Sequence, residues 1–165
     1  MTAPSALEPW PNTVAWRPVS PKLITVELIA RLTASAVVII ALLVGYVLIS
    51  HWAWLLGIGV MVVLTIWRVW VTVRAVRAWG YAERDNDLLV RHGLLVRRLS
   101  IVPYARMQYV DVTAGPLERA FGLATVQLHT AAAASDARVP GLPPDEAARL
   151  RDRLTALGED RAEGL

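Results

Sequence analysis

The first half of the chain contains two long apolar runs separated by a very short break. The first run, from Leu28 to Ser50, carries one charged residue, Arg31, near its start. The second run begins at Trp52 and continues past Arg68. Each run supplies the roughly 20 residues that span a bilayer, and the first lacks the polar stripe of a helix on a soluble core. The pattern predicts a transmembrane helical hairpin, and two buried core helices are the alternative.

Basic residues flank the two runs and are absent from the turn between them. Arg17 and Lys22 precede the first run, and Arg68, Arg74 and Arg77 accompany the end of the second. Because cytoplasmic segments of membrane proteins carry an excess of Lys and Arg, we expect a multi-pass protein of the inner (plasma) membrane with both termini in the cytoplasm. The last three arginines are candidates for contact with lipid headgroups.

Beyond Val76 the continuous apolar pattern gives way to alternating apolar and polar positions, which predict half-buried β-strands. Turns are predicted at Asp85–Asp87 and at His92-Gly93, where Gly93 supplies the positive φ of a hairpin. Ala131–Asp136 is a further predicted turn. We expect strands in the segments "LLVRHGLLVRRLSIVP", "QYVDVT", "LATVQLHT" and "ARVP".

Helical signals appear at two places in this second half. Gly115 and Pro116 predict one short helical turn that ends at Gly122. A longer amphipathic helix is predicted from about Pro144 to Gly158, with its arginines on the solvated face. Several residues are candidates for structural roles in these elements: Gly93, Pro103, Gly115, Pro116, Gly122, Leu150 and Leu154.

These elements predict an α+β protein with a membrane anchor. The expected order is an N-terminal cytoplasmic segment (1–22), a two-helix transmembrane hairpin (23–76), a cytoplasmic domain (77–158) and a polar tail (159–165). The domain would be an antiparallel β-barrel or sandwich capped by a C-terminal α-helix, because the apolar stripe of that helix suits the open end of a curved sheet.

Composition narrows the possible chemistry. Apolar residues make up 55% of the chain and charged residues 19%, and there is no cysteine. The charge after the apolar runs is nearly balanced, which does not suit a nucleic-acid-binding domain. The sequence has no His-based metal spacing and no glycine-rich phosphate loop. A triad of Ser100, His129 and Asp111 lacks the nucleophile-elbow context. We therefore expect no enzyme, cofactor or small-molecule substrate.

Three segments resemble a known family. They are "WRPVSPKLI", the long run "LLVRHGLLVRRLSIVPYARMQYVDVTAGPLERAFGLATVQLHTA" and the "VPGL" that leads into the last helix. From Trp16 to Leu157 the chain resembles membrane-anchored bacterial PH-like domain proteins, long described as a domain of unknown function. The resemblance implies a pleckstrin-homology-like barrel capped by its C-terminal helix, and it does not imply phosphoinositide binding.

Two functions remain open at this point. The first is a non-enzymatic interaction or scaffold module at the cytoplasmic face of a bacterial membrane. It would bind a protein partner or assemble with copies of itself or with related PH-like proteins. The second is an anionic-lipid sensor that uses Arg91, Arg97 and Arg98 with the arginines near the membrane. The pattern places Arg97 and Arg98 on opposite faces of one strand, where one would be solvated and the other paired with a carboxylate such as Asp111 or Glu118. Arg106 is a further candidate contact residue.

Overall fold

The computed structural model describes residues 14–131 and 136–162, and the side chains as far as Gly158. The predicted turn at Ala131–Asp136 lies mostly outside the described residues. The polar tail 159–165 lies outside them except for the backbone of 159–162, which is helical. The described chain divides into two compact units.

One unit, Ile24–Arg74, consists of the apolar helices. Helix α1 covers Lys22–Ile49 and α2 covers Ala53–Arg77, so each helix runs slightly beyond the unit. In the most apolar window of each helix only 6% of the residues are buried. A helix in the core of a soluble protein shows the reverse, because its apolar side chains pack against protein rather than face outward. Both helices are thus long and apolar enough to cross a membrane.

The helices are linked by polar contacts near one end and by a tight turn at the other. Arg31 forms an ion pair of 2.9 Å with Glu27 and donates to the hydroxyl of Thr72 on α2. The turn contains Ser50 at a φ of 52°, and the Nδ1 atom of His51 accepts a hydrogen bond of 3.2 Å from the amide of Ala53. These contacts satisfy polar groups that would be costly in lipid.

The other unit comprises the described residues up to Leu23 and from Ala75 onwards. Its first sheet contains four antiparallel strands in the order β1-β2-β3-β4. Their bounds are Arg17–Pro18, Gly80–Glu83, Asp87–His92 and Arg98–Pro103. The short strand β1 precedes the first apolar helix, so residues of the predicted N-terminal segment belong to the folded domain.

The second sheet has the order β5-β6-β7 and is also antiparallel. Its strands are Met107–Thr113, Ala124–Thr130 and Ala137–Leu142. A 3₁₀ turn, Tyr104–Arg106, leads from the first sheet into β5, and helix α3, Pro116–Ala120, lies between β5 and β6. Among the described residues, strand pairing does not close the two sheets into a barrel, so the domain contains two separate antiparallel sheets.

The C-terminal helix α4 covers Pro144–Ala162 and packs on β5, β6 and the 3₁₀ turn. Its side chains at Ala147, Leu150 and Leu154 are completely buried. The prediction that Gly158 ends this helix is wrong. Gly158 is not among the glycines with a positive φ, and the helix continues through it, since a glycine without that conformation does not form the usual helix terminus.

The β3–β4 hairpin also differs from the prediction. His92 pairs with Arg98, so Gly93–Arg97 form a loop rather than the start of a strand. Leu88, which is fully buried, therefore lies opposite Val102. A two-residue turn at His92-Gly93 would instead place Arg97 opposite Leu88, and a charge beside that core position is unfavourable.

Candidate functional site

One end of the first sheet gathers the connections to both apolar helices. In the register of the sheet, Gly80 pairs with Pro18 on one side and with Arg91 on the other. The chain continues from Pro18 to the start of α1 at Lys22, and β2 begins directly after α2 ends at Arg77. The β3–β4 loop lies at this same end, which we call the helix-junction end of the sheet.

Aromatic rings pack against this end. The ring of Trp79 stacks on His92 with a centroid distance of 4.8 Å, and the guanidinium of Arg91 lies 4.7 Å from the ring centre of Trp16. Burial lowers the pKa of Arg91, and burial together with the nearby charge of Arg98 lowers the pKa of His92. Arg91 is thus a half-buried packing residue, and His92 is neutral at pH 7.

The β3–β4 loop presents apolar side chains to the surroundings. Leu95 is 96% exposed and Val96 is 66% exposed, and both following arginines, Arg97 and Arg98, are exposed. The structure therefore corrects the expectation that the two arginines share a strand, because Arg97 lies in the loop and β4 begins at Arg98. We call Leu94–Val96 the hairpin tip.

The remaining candidate arginines are distributed over different elements of the two units. Arg77 is exposed at the end of α2, at the helix-junction end. Arg68 and Arg74 belong to the apolar helical unit, where the guanidinium of Arg74 lies 4.2 Å from the ring centre of Trp70. Arg106 lies in the 3₁₀ turn at the opposite end of the sheet, because the amide of Tyr104 bonds to the carbonyl of Asn86.

The carboxylate proposed as an arginine partner has another role. Glu118 accepts a hydrogen bond of 2.8 Å from the amide of Gly115 and one of 2.8 Å from the hydroxyl of Thr125. It therefore ties the start of α3 to β6, where Thr125 is buried. This use of the carboxylate corresponds to half of a helix capping box.

A network of ion pairs, missed by the sequence analysis, fastens α4 to the first sheet. Glu83, whose side chain is 7% exposed, lies within ion-pair distance of Arg17, Arg149 and Arg153. Glu146 accepts hydrogen bonds from Arg149 at 2.7 Å and from the hydroxyl of Tyr81 at 2.8 Å. These bonds lower the pKa of Glu146 to about 2. The arginines of α4 are therefore not a simple solvated face, and the network has the geometry of a structural clamp.

A groove runs between β5 and α4. It has a volume of about 210 Å³, and its walls include Met107 and Val110 from β5 and Leu154 and Thr155 from α4. Because β5 is an edge strand of the second sheet, one side of its backbone has no neighbouring strand in the described part of the chain. We call this feature the β5–α4 groove.

The histidine considered for a catalytic triad has different neighbours. The Nδ1 atom of His129 lies 3.1 Å from the carboxylate of Asp136, and its ring stacks on Tyr109 with a centroid distance of 4.4 Å. Within residues 14–131 and 136–158, no three His, Asp or Glu side chains come together as a metal site. This arrangement belongs to the outer face of β5 and β6.

Comparison with known proteins agrees with this architecture. The bacterial PH domain family matches residues 22–157. The chain is also 37% identical over 81 residues to the UPF0699 transmembrane protein YdbS of Bacillus subtilis (strain 168). The alignment covers 49% of this chain and 50% of the relative, so this chain matches about half of the length of the relative. No solved structure gives a significant match. With its two apolar helices and its PH-like domain, the chain is a membrane protein that belongs to the bacterial PH domain family.

Proposed function

We propose that this protein is a non-enzymatic, membrane-anchored interaction module whose docking site is the β5–α4 groove. The observation that carries the proposal is the combination of an edge strand and an adjoining groove at one place. An edge strand offers main-chain donors and acceptors to an added strand, and side-chain pockets beside it select the sequence of that strand. The occupant that fits this surface is an extended segment of a protein partner.

Burial and exposure support this interpretation. Leu154 lines the groove and is also completely buried, so the groove adjoins the domain core. Gln108 and Tyr109 on β5 are exposed, and Tyr109 is held by its stacking on His129. An irregular register between Met107 and Tyr109 interrupts the β5–β6 pairing near the groove. Bulges of this kind re-aim side chains at sheet edges.

The membrane anchor would confine the module to the plane of the membrane. Lys22, Arg74 and Arg77 flank the apolar helices on the side of the PH-like domain, and the His51 turn has no Lys or Arg. This distribution favours a cytoplasmic domain and both termini in the cytoplasm. A partner held in or near the same membrane would then bind at a raised effective concentration.

Site-specific photocrosslinking in the native membrane tests the docking site. We would place a photoreactive phenylalanine analogue at Tyr109 and, as a control, at Arg119 on α3. We expect a discrete crosslinked species only at position 109, with the crosslinked partner peptide identified by mass spectrometry. The corresponding synthetic peptide should compete for the crosslink.

A groove-filling variant supplies the matched control. Thr155→Trp should abolish the crosslink because the indole occupies the groove, whereas Asp152→Trp, on an exposed part of α4 outside the lining, should retain it. A crosslink to a second copy of the chain would show that the groove binds another copy of this protein rather than a different partner. Equal crosslinking at positions 109 and 119, or crosslinking unaffected by Thr155→Trp, would refute the groove as the docking site.

A further inference from the structure

We propose that the hairpin tip, Leu94–Val96, enters the headgroup region of the membrane that the chain spans, and that Arg97 and Arg98 there contact anionic lipid phosphates. The PH-like domain would then touch the bilayer at a point separate from its two helical connections. This proposal is independent of the β5–α4 groove.

The exposure of the tip is the first argument. Leu95 is 96% exposed, more than any other large apolar side chain of the described chain, the apolar helices included. A leucine at the end of a loop in water gains nothing from that position, whereas an apolar side chain that enters the boundary between headgroups and acyl chains is removed from water. The turn that forms the loop requires glycine at its start, because Gly93 has a φ of 103° and leaves no room for a Cβ atom beside the carbonyl of Val96.

The path of the chain is the second argument. The tip lies at the helix-junction end, where Arg91 of the hairpin pairs with Gly80 at the start of β2. Only Ala78 and Trp79 separate β2 from the end of α2 at Arg77. A link of three peptide units spans at most about 11 Å, so the start of β2 lies within that distance of the last residue of α2. The opposite end carries the Arg84–Asn86 turn instead.

The charges beside the tip suit a lipid surface. Arg97 and Arg98 follow the apolar residues directly and are exposed, and Arg77 is exposed at the same end. Apolar residues followed by arginines match the order of acyl chain and phosphate across a leaflet, and basic residues near an anionic membrane are attracted to its surface. Arg91 does not belong to this set, since it is half-buried over Trp16.

Depth-dependent fluorescence quenching tests the contact in the full-length protein. The natural chain has no cysteine, so a single introduced cysteine gives a unique labelling site. We would label Leu95→Cys with an environment-sensitive fluorophore and reconstitute the protein in nanodiscs that contain phosphatidylglycerol. Ala105→Cys, exposed in the 3₁₀ turn at the opposite end of the sheet, is the matched control.

With lipids that carry a quencher on the acyl chain, we expect at least about twofold quenching at position 95, because an interfacial apolar group lies roughly 5–10 Å into the leaflet. Position 105 should instead be quenched by aqueous iodide. Equal iodide quenching at both positions would overturn the proposal. Protection of position 95 from both quenchers would overturn it as well, because a protein surface would then cover the tip.

The arginines have a separate readout. In the Leu95→Cys background, Arg97→Gln with Arg98→Gln should reduce the lipid quenching in phosphatidylglycerol nanodiscs and leave it unchanged in nanodiscs of phosphatidylcholine alone. Added salt should have the same effect on the parent protein, because it screens exposed charges. Arg119→Gln is the charge-matched control. An equal loss in both lipid compositions would show that the arginines support the loop rather than contact anionic headgroups.

Discussion

The guanidinium of Arg149 lies 2.7 Å from the carboxylate of Glu83, which joins the C-terminal helix to the second strand of the first sheet. The side chain of Glu83 is 7% exposed, and its carboxylate also lies 3.1 Å from the guanidinium of Arg153. A buried carboxylate requires such partners, because an unpaired charge in the interior is strongly destabilising.

Arg149→Ala should therefore destabilise the domain by about 1–3 kcal/mol, since hydrogen bonds to charged groups contribute that much and Arg153 remains as a partial partner. Chemical denaturation in detergent, followed by tryptophan fluorescence, measures the change. The control is Arg151→Ala, which pairs with the exposed neighbour Asp152 and should cost no more than about 0.5 kcal/mol. Equal losses for both variants would contradict a structural role for the Glu83 pair.

Stability in acid should depend on Glu146. Its pKa lies at about 2 in the folded domain against 4.5 as the usual value, mainly because Arg149 and the Tyr81 hydroxyl bond to its charged form. A carboxyl group whose pKa is lower in the folded than in the unfolded state stabilises the folded state when it is charged. This stabilisation is present above pH 4.5 and is lost as the pH falls toward 2. The thermal midpoint should fall more across this window for the parent than for Glu146→Gln. The pKa of Asp136 is also lowered, but Asp136 is present in both the parent and the Glu146→Gln variant and so does not contribute to the difference between them. Parallel profiles would show that Glu146 does not carry the linkage.

Substitution of Gly93 should destabilise the domain more than substitution of Gly122, another glycine with a positive φ. A Cβ atom at Gly93 would lie 2.0 Å from the carbonyl oxygen of Val96, whereas the space at Gly122 is open. Gly122→Ala should cost about 1–2 kcal/mol from the left-handed backbone alone. Gly93→Val should cost more, because backbone displacement is added. Thermal unfolding of the two variants compares them, and a smaller loss at Gly93 would mean that the loop relaxes without strain.

The core face of α4 can be tested with Leu150 and Leu154, both fully buried. Each Leu→Ala change should cost about 2–5 kcal/mol, so the double variant should unfold a domain whose total stability is typically about 5–15 kcal/mol. Limited proteolysis in membranes should then digest the PH-like domain and leave the two helices protected. Arg151→Ala with Thr155→Ala, on the exposed side of α4, is the double control. Resistance of the leucine variant equal to that of the parent would show that α4 is not an integral part of the core.

The proposed topology is open to a direct reporter test. A phosphatase that is active only outside the cytoplasm should be inactive when fused after Leu165 and active when inserted between His51 and Trp52. A fluorescent protein that folds only in the cytoplasm should give the opposite pattern. Activity of the phosphatase after Leu165 would invert the orientation and place the PH-like domain outside.

The membrane helices, most strands and the apolar stripe of the last helix follow from the sequence alone. Lipid cannot hydrogen-bond to the backbone, so a long uninterrupted apolar run has few alternatives to a helix. Alternation such as that from Ala124 to Thr130 likewise matches the two faces of a strand. These patterns are local, and they suffice to identify the elements.

Tertiary structure alone decided how the elements meet. Leu94, Leu95 and Val96 have the composition of a strand, yet they form a loop because the core places Leu88 opposite Val102. The pairing of Glu83 with Arg149 joins residues that are distant in sequence, and no local pattern marks either one. The groove beside β5 and the shared end that holds the helix junctions and the hairpin tip arise in the same way. Register and long-range contacts depend on the packing of the whole domain, because neighbouring registers differ little in local propensity but place different side chains in the core.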